Sequence, residues 1–235
     1  MKPKGYFISG TDTGVGKTIV TACLLTLFRK WEVSTGVMKP IETGVDPECS
    51  SEVNSDTKFL LAVSGNKDAL EEACPIRLKH AAAPLQAARM ENRELEINCI
   101  LENFRLLQHR HDQILVEGIG GLMVPLRPDY LVTDLVLDLG LPLIIVSRIT
   151  LGTLNHTLLT LTAAKNAGID VAGVILNHME DRELNAVERE QAELIRELSG
   201  TEVLGECLFI DELSVERFDD AQLARKIETW INISP

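Results

Sequence analysis

The sequence predicts an α/β fold, a single domain over residues 1–235 with a mostly parallel central sheet covered by helices on both faces. Three observations carry this reading. Strand-like and helix-like segments alternate almost throughout the 235 residues. The strand-like segments are near-continuous runs of Val, Ile and Leu, as expected of strands buried on both faces. Several of these runs stop at a polar residue, which collects polar side chains at the carboxyl edge, where such sheets gather their ligands.

Tyr6-Phe7-Ile8-Ser9 reads as the first strand. It runs into the glycine-rich stretch Gly10-Thr11-Asp12-Thr13-Gly14-Val15-Gly16-Lys17-Thr18, and Ile19 to Leu25 then begin a helix that reaches about Trp31. Thr35-Gly36-Val37-Met38-Lys39 reads as the second strand. Pro40 to Ser55 is rich in Gly, Pro, Ser and acidic residues and reads as a loop. Helical patterns follow at about residues 56–63, 84–90 and 95–109. Gln113-Ile114-Leu115-Val116-Glu117 is an apolar run ending at a carboxylate and a glycine, and residues 143–147 and 171–177 have the same form. Helical patterns at about 154–167 and 183–198 follow those strands. Residues 221–231 form a weakly amphipathic helix whose polar face is not richly basic, so it reads as docked on the sheet rather than on a membrane.

Composition narrows the function classes. Hydrophobic residues make up 45% and charged residues 25%, as in a soluble globular protein. A net charge of −12 argues against a general nucleic-acid or anionic-membrane binder, although one loop can still be locally positive. The five cysteines, Cys23, Cys49, Cys74, Cys99 and Cys207, are scattered and never form a C-x-x-C pair. This fits a reducing, cytoplasmic setting without a disulfide frame or zinc site. Cys23 and Cys99 fall among apolar helical residues and are expected to be buried. No signal peptide or membrane-spanning run is read.

The chemistry begins at the glycine-rich loop. A strand–loop–helix passage closing on Gly16-Lys17-Thr18 is a phosphate cradle: backbone N–H groups face phosphate oxygens, Lys17 adds positive charge, and the Thr18 hydroxyl suits Mg²⁺. The helix that follows adds the positive end of its dipole. The general pattern wants glycine at position 11, whereas this chain has Gly10 and Thr11. Glu117, ending its strand before Gly118-Ile119-Gly120-Gly121, stands where a second acid of a nucleotide site is usual. Ser55 or Asp56 reads as a helix cap. Lys39, ordinarily a solvated residue, ends its strand at the same sheet edge as Lys17 and offers a second phosphate contact. His109 and His111 are two apart and do not share a helix face, so no histidine metal cluster is expected.

Together, Gly10 to Thr18, Lys39-Pro40, Asn54-Ser55-Asp56, Val116 to Gly121 and Leu151-Gly152-Thr153-Leu154-Asn155-His156 resemble the dethiobiotin synthetase family, in order, from about Phe7 to Asn177. The resemblance implies a P-loop NTPase fold and an ATP-dependent cyclo-ligase that uses Mg²⁺. Its substrates would be 7,8-diaminononanoate and CO2, converted to the cyclic urea of dethiobiotin through a carbamate and a carbamic–phosphoric anhydride. It also implies a homodimer. Carried over by position, Gly14, Val15, Gly16, Lys17, Thr18 and Ile19 hold the ATP phosphates, and Lys39 joins Lys17 as a catalytic lysine. Thr18, Asp56 and Glu117 are the implied Mg²⁺ ligands. Thr13 and Thr43 contact the diamine–carbamate end. Gly118, Ile119 and Gly120 extend the nucleotide and substrate contacts. Gly152 and Asn155 receive the substrate carboxylate across the dimer interface. Asn177, followed here by His178 where many members have aspartate, meets adenine, as does the backbone of Leu208, Phe209 and Ile210.

Two alternatives stay open on the residues. Another amidoligase-like P-loop enzyme would share Lys17, Thr18 and Glu117 without needing Lys39-Pro40 or Asn155-His156. A partition-type ATPase switch would usually carry a further lysine early in the loop, where this chain has Thr11-Asp12-Thr13.

Overall fold

The computed structural model describes residues 5–46, 55–211 and 214–233; Cys49 and Asn54 lie outside the described residues. The chain opens with strand β1 (Gly5–Gly10) and helix α1 (Lys17–Lys30), followed by β2 (Thr35–Met38) and a short β3 (Ile41–Thr43). Next come α2 (Asp56–Ser64), α3 (Leu70–Ala73), β4 (Ile76–Leu78), α4 (Pro84–Met90), α5 (Ile97–Arg110) and β5 (Gln113–Glu117). The hairpin β6 (Pro125–Arg127) and β7 (Tyr130–Leu131) leads into α6 (Val132–Leu139), β8 (Leu143–Arg148), α7 (Thr153–Asn166) and β9 (Val171–Asn177). The chain closes with α8 (Ala186–Arg189), α9 (Gln191–Ser199), β10 (Val203–Cys207), α10 (Val215–Phe218) and α11 (Ala221–Trp230).

Six strands form one parallel sheet in the order β10-β9-β8-β1-β5-β2. Period-two geometry sends consecutive side chains to opposite faces. Phe7, Ile114, Val116, Leu143, Ile145, Val174 and Leu176 therefore enter one core with α5, α6, α7 and α9. Ile8, Leu115, Ile144, Val146 and Ile175 enter the other with α1, α2 and α11. Two covered faces explain why these strands are apolar at successive positions.

Helix α1 is buried along most of its length, from Lys17 through Phe28 apart from the half-buried Thr18 and Ile19. It is wedged between the sheet and the layer formed by α2 and α11, which accounts for an apolar surface on all sides rather than a single stripe. Arg29 and Lys30 in its last turn oppose the negative end of its dipole.

The chain order reverses around β1, which lies between β8 and β5. The loop after β1 thus sits at the switch point, above the carboxyl ends of the sheet. Glu117 aligns with Ile8, and Val146 with Gly10, so the acid and the phosphate loop meet at that edge.

Several expectations are refined. The stretch from Pro40 is not all loop, because β3 pairs in parallel with β4 in a separate two-stranded sheet. The helix expected from residue 183 begins at Ala186, after Asn185, whose side chain accepts the Glu188 N–H and starts the helix there. Cys23 is buried as expected, but Cys99 is only half-buried, since it lies beside rather than on the α5 face carrying Ile100, Phe104 and Leu107. Among the described residues the cysteines are free thiols, including Cys23 and Cys207, whose sulfurs lie 3.6 Å apart.

Candidate active site

At the carboxyl edge of the sheet lies a cavity of about 450 Å³, within the usual range for a small-molecule site. Thr13, Gly14, Gly16, Lys17, Thr18 and Ile19 line it from the β1–α1 loop and the start of α1. Lys39 and Thr43 line it from the β2–β3 segment, Asp56 from α2, and Glu117, Gly118, Ile119 and Gly120 from the end of β5. Strand ends and helix starts thus bring together residues more than 100 positions apart.

The loop is held from below. Gly10 N–H donates to Gly120 O at 3.3 Å, and Thr11 N–H donates to Val146 O at 3.0 Å. Gly16 caps α1 in the left-handed region, with φ 89°. A Cβ at that position would lie 2.0 Å from Asn177 Nδ2, which donates to Val15 O at 3.0 Å. Glycine at 16 is therefore required twice, by conformation and by the close approach of Asn177. Lys17 opens α1, so the N–H groups of the first helical turn have no intrahelical acceptors and are available to an anion. Val15 itself is buried beneath the loop and does not line the cavity.

The charged centre is tightly knit. The Glu117 side chain is 0% exposed. Its Oε1 accepts from Lys39 Nζ at 2.7 Å and from the Thr18 hydroxyl at 3.0 Å. Lys39 Nζ also donates to Asp56 Oδ2, so one ammonium bridges two carboxylates. Burial alone would lower the Lys39 pKa, but Glu117 and Asp56 outweigh it and hold the group well above the usual lysine range. Lys39 is therefore buried and charged, not a solvated strand end. Lys17 goes the other way: burial draws its pKa below the usual lysine range against the opposing pull of Glu117. Its ammonium donates to Asp12 O at 3.2 Å, folding the side chain back over its own loop.

The donor set fits a hard divalent cation. Glu117 Oε2 is buried without a hydrogen-bond partner, Asp56 is open to the cavity, and the Thr18 hydroxyl touches the Glu117 carboxylate. Two carboxylates and a hydroxyl are too few for a closed protein cage. They suit Mg²⁺, which keeps waters and shares phosphate oxygens.

A protein-family model described as an AAA domain matches residues 4–217. An ATP-dependent dethiobiotin synthetase from Thermodesulfovibrio yellowstonii is 42% identical over 97% of this chain and 99% of its own length. Another from Bacillus velezensis is 38% identical over 98% of this chain and 95% of its own. The chain belongs to the dethiobiotin synthetase family. Its fold extends further. A ParA family ATPase from Chlorobium tepidum aligns with a TM-score of 0.58 at 15% identity, covering 97% of this chain and 98% of that chain. The MinC:MinD cell division protein complex of Aquifex aeolicus gives 0.56 at 14%, covering 99% of each chain. At those identities the likeness concerns the fold alone.

Most residues assigned through the dethiobiotin synthetase resemblance converge on the cavity. Asn177 lies behind the phosphate loop instead, with its Oδ1 buried and unpartnered. Leu208 and Phe209 are partly exposed just past the end of β10, and Ile210 is buried. Gly152 and Asn155 are exposed at the start of α7 and do not line the cavity. Glu42, Gly44 and Val45 line it without having been singled out in the sequence. An acid three residues after Lys39, within a stretch read as loop, was the available signal for Glu42.

Gly16→Ala should weaken ATP binding about tenfold, a loss of about 1.4 kcal/mol, because a Cβ 2.0 Å from Asn177 Nδ2 must displace the loop that cradles the phosphates. Equilibrium titration with a fluorescent ATP analogue checks this, and parent-like affinity would show that the loop does not depend on its Asn177 contact.

Proposed function

We propose that this chain is a dethiobiotin synthetase, which joins 7,8-diaminononanoate and CO2 into the cyclic urea of dethiobiotin at the expense of ATP. The observation that carries the reading is the convergence of Lys17, Thr18, Lys39, Asp56 and Glu117 on one cavity, in a chain 42% identical to a named synthetase along nearly its whole length.

A substrate amine adds to CO2 and loses a proton, leaving a carbamate. A carbamate is a poor acyl donor, because its oxygen is a poor leaving group. Attack of that oxygen on the γ-phosphorus of ATP breaks the bond to ADP and gives a carbamic–phosphoric anhydride. The second amine then attacks the carbonyl carbon, expels phosphate and closes the ring.

Each assisting residue has a physical warrant. Gly14 to Ile19 cradle the triphosphate with backbone N–H groups and the α1 dipole. Lys17 and Lys39 both line the cavity, and fixed positive charge there would stabilise the transferring phosphoryl group. Thr18, Asp56 and Glu117 would hold Mg²⁺; bound there, the ion neutralises phosphate oxygens. Thr13 and Thr43 would supply hydroxyls toward the diamine–carbamate end, and Gly118, Ile119 and Gly120, which also line the cavity, would extend the nucleotide and substrate contacts. Asn177 Oδ1, an acceptor without a partner, suits the exocyclic amine of adenine, and the backbone of Leu208, Phe209 and Ile210 adds the remaining base contacts.

Gly152 and Asn155 lie outside the cavity of their own chain. We assign them to the substrate carboxylate of a second copy in a homodimer, where the start of α7 favours an anion. Sedimentation equilibrium should give twice the chain mass, and a monomer at micromolar concentration would remove this assignment. The reaction is placed in the cytoplasm, supported by the free thiols of Cys23, Cys74, Cys99 and Cys207. No helix among the described residues is long and apolar enough to cross a membrane.

Purified protein incubated with ATP, Mg²⁺, bicarbonate and 7,8-diaminononanoate should yield dethiobiotin and ADP by mass spectrometry. A folded, ATP-binding protein that yields no product would refute the reading. Lys39→Ala should lower kcat about a hundredfold or more, the usual scale for deleting a preorganised electrostatic donor, while ATP affinity changes far less. Unchanged turnover would remove Lys39 from the chemistry.

A further inference from the structure

We propose that Glu42 is a positioning residue that sets the place of Asp56, and through it the affinity of the site for Mg²⁺. The inference rests on the reading of Asp56 and Glu117 as metal ligands.

Glu42 sits on β3 and is 3% exposed. Its carboxylate accepts from three consecutive residues at the start of α2. Ser55 Oγ donates to Oε2 at 3.0 Å, Asp56 N–H to Oε1 at 2.6 Å, and Thr57 Oγ1 to Oε2 at 2.7 Å. Ordinary helix capping does not account for this. Ser55 already caps α2 by accepting the Lys58 N–H at 3.3 Å. Glu42 instead takes the amide of Asp56 itself. An aspartate has only two side-chain torsions, so fixing its amide largely fixes the reach of its carboxylate.

That carboxylate meets Lys39, whose ammonium meets Glu117 Oε1 at 2.7 Å. The chain of contacts therefore runs from Glu42 through Asp56 and Lys39 to Glu117. Glu42 lines the cavity, yet both its oxygens are engaged by α2, so it serves as an anchor rather than as a base. It also joins residues 14 positions apart in the chain, Glu42 and Asp56. Position 42 and position 56 belong to separate elements, and among the described residues this carboxylate ties them directly.

The test is Mn²⁺ binding to the full chain in the presence of ADP, read from loss of the free-ion EPR signal, beside ADP binding in EDTA. Glu42→Asp keeps the charge but draws it back by one methylene. Groups that orient ligands typically govern metal affinity about 10–100-fold, so Glu42→Asp should raise the Mn²⁺ Kd about tenfold. Glu42→Gln keeps an acceptor for the Asp56 N–H and should stay within about threefold of the parent. ADP affinity in EDTA should be alike in all three. A merely structural role would lower Tm without separating these variants in metal affinity. Parent-like Mn²⁺ binding by Glu42→Asp would overturn the proposal, as would Glu42→Gln being as weak as Glu42→Asp.

If Glu42→Asp does not fold, Thr57→Val deletes one of the three donors within the same shape. It should weaken Mn²⁺ in the same direction, and parent-like binding there would also overturn the proposal. Asp56→Ala separates the two levels. If it leaves Mn²⁺ binding unchanged, the metal-site reading falls and takes the proposal with it. If Asp56→Ala weakens binding and Glu42→Asp does not, only the role of Glu42 falls.

Discussion

A carboxylate with no exposed surface stands at the centre of this molecule. Glu117 ends β5 inside the protein, and burying an uncompensated charge costs several kcal/mol. The structure answers with the Lys39 ammonium at 2.7 Å and the Thr18 hydroxyl at 3.0 Å. The rest of the site follows from that requirement. Lys39 must turn inward from the end of β2, and Asp56 must close on Lys39 from α2. Thr18 must begin α1 beside both. One Glu117 oxygen stays unpartnered, and two carboxylates share a single bridging ammonium, so the cluster keeps an excess of acceptors.

Topology makes this economical. β5 lies between β1 and β2 in the sheet, although α1, β2 and several further elements intervene in the chain. Placing β5 there sets Glu117 directly between the phosphate loop that follows β1 and the lysine that follows β2. Parallel strands put all three carboxyl ends on the same edge. In the proposed reaction the same arrangement separates the tasks: phosphate contacts are assigned to the start of α1, the acids to β5 and α2, and the carbamate end to Thr13 and Thr43. The Glu42 anchor extends this logic by tying a peripheral strand to the helix that carries Asp56.

Much of this was legible in the sequence because it is written locally. The loop from Gly10 to Thr18 is contiguous, and the buried strands are apolar at successive positions because both faces are covered. What escaped reading is non-local or short. The burial of Lys39 depends on partners 17 and 78 residues away, which no window along the chain reveals. β3 and β4 have three residues each and pair only with one another, so neither carries a periodic signal. β10 is an edge strand buried mainly at Val203 and Cys207, and its Gly205 and Glu206 break the apolar run seen in β8 and β9. Helix α6 was within reach, since Val132, Leu135, Val136 and Leu139 keep helical spacing and Asp134 accepts the Leu131 N–H at its start. Gly152 and Asn155 were assigned through family resemblance, and a single chain leaves them on the surface.

The dependence of the site on the Lys39–Glu117 pair is tested most directly by a double-mutant cycle on unfolding free energy in metal-free buffer, using Lys39→Met, Glu117→Gln and the two combined. Contacting charges in one network couple by roughly 0.5–3 kcal/mol. The upper part of that range, about 2 kcal/mol or more, is expected here, with Lys39→Met alone strongly destabilising because it strands a buried carboxylate. Additive effects, or a Lys39→Met protein as stable as its parent, would contradict the account.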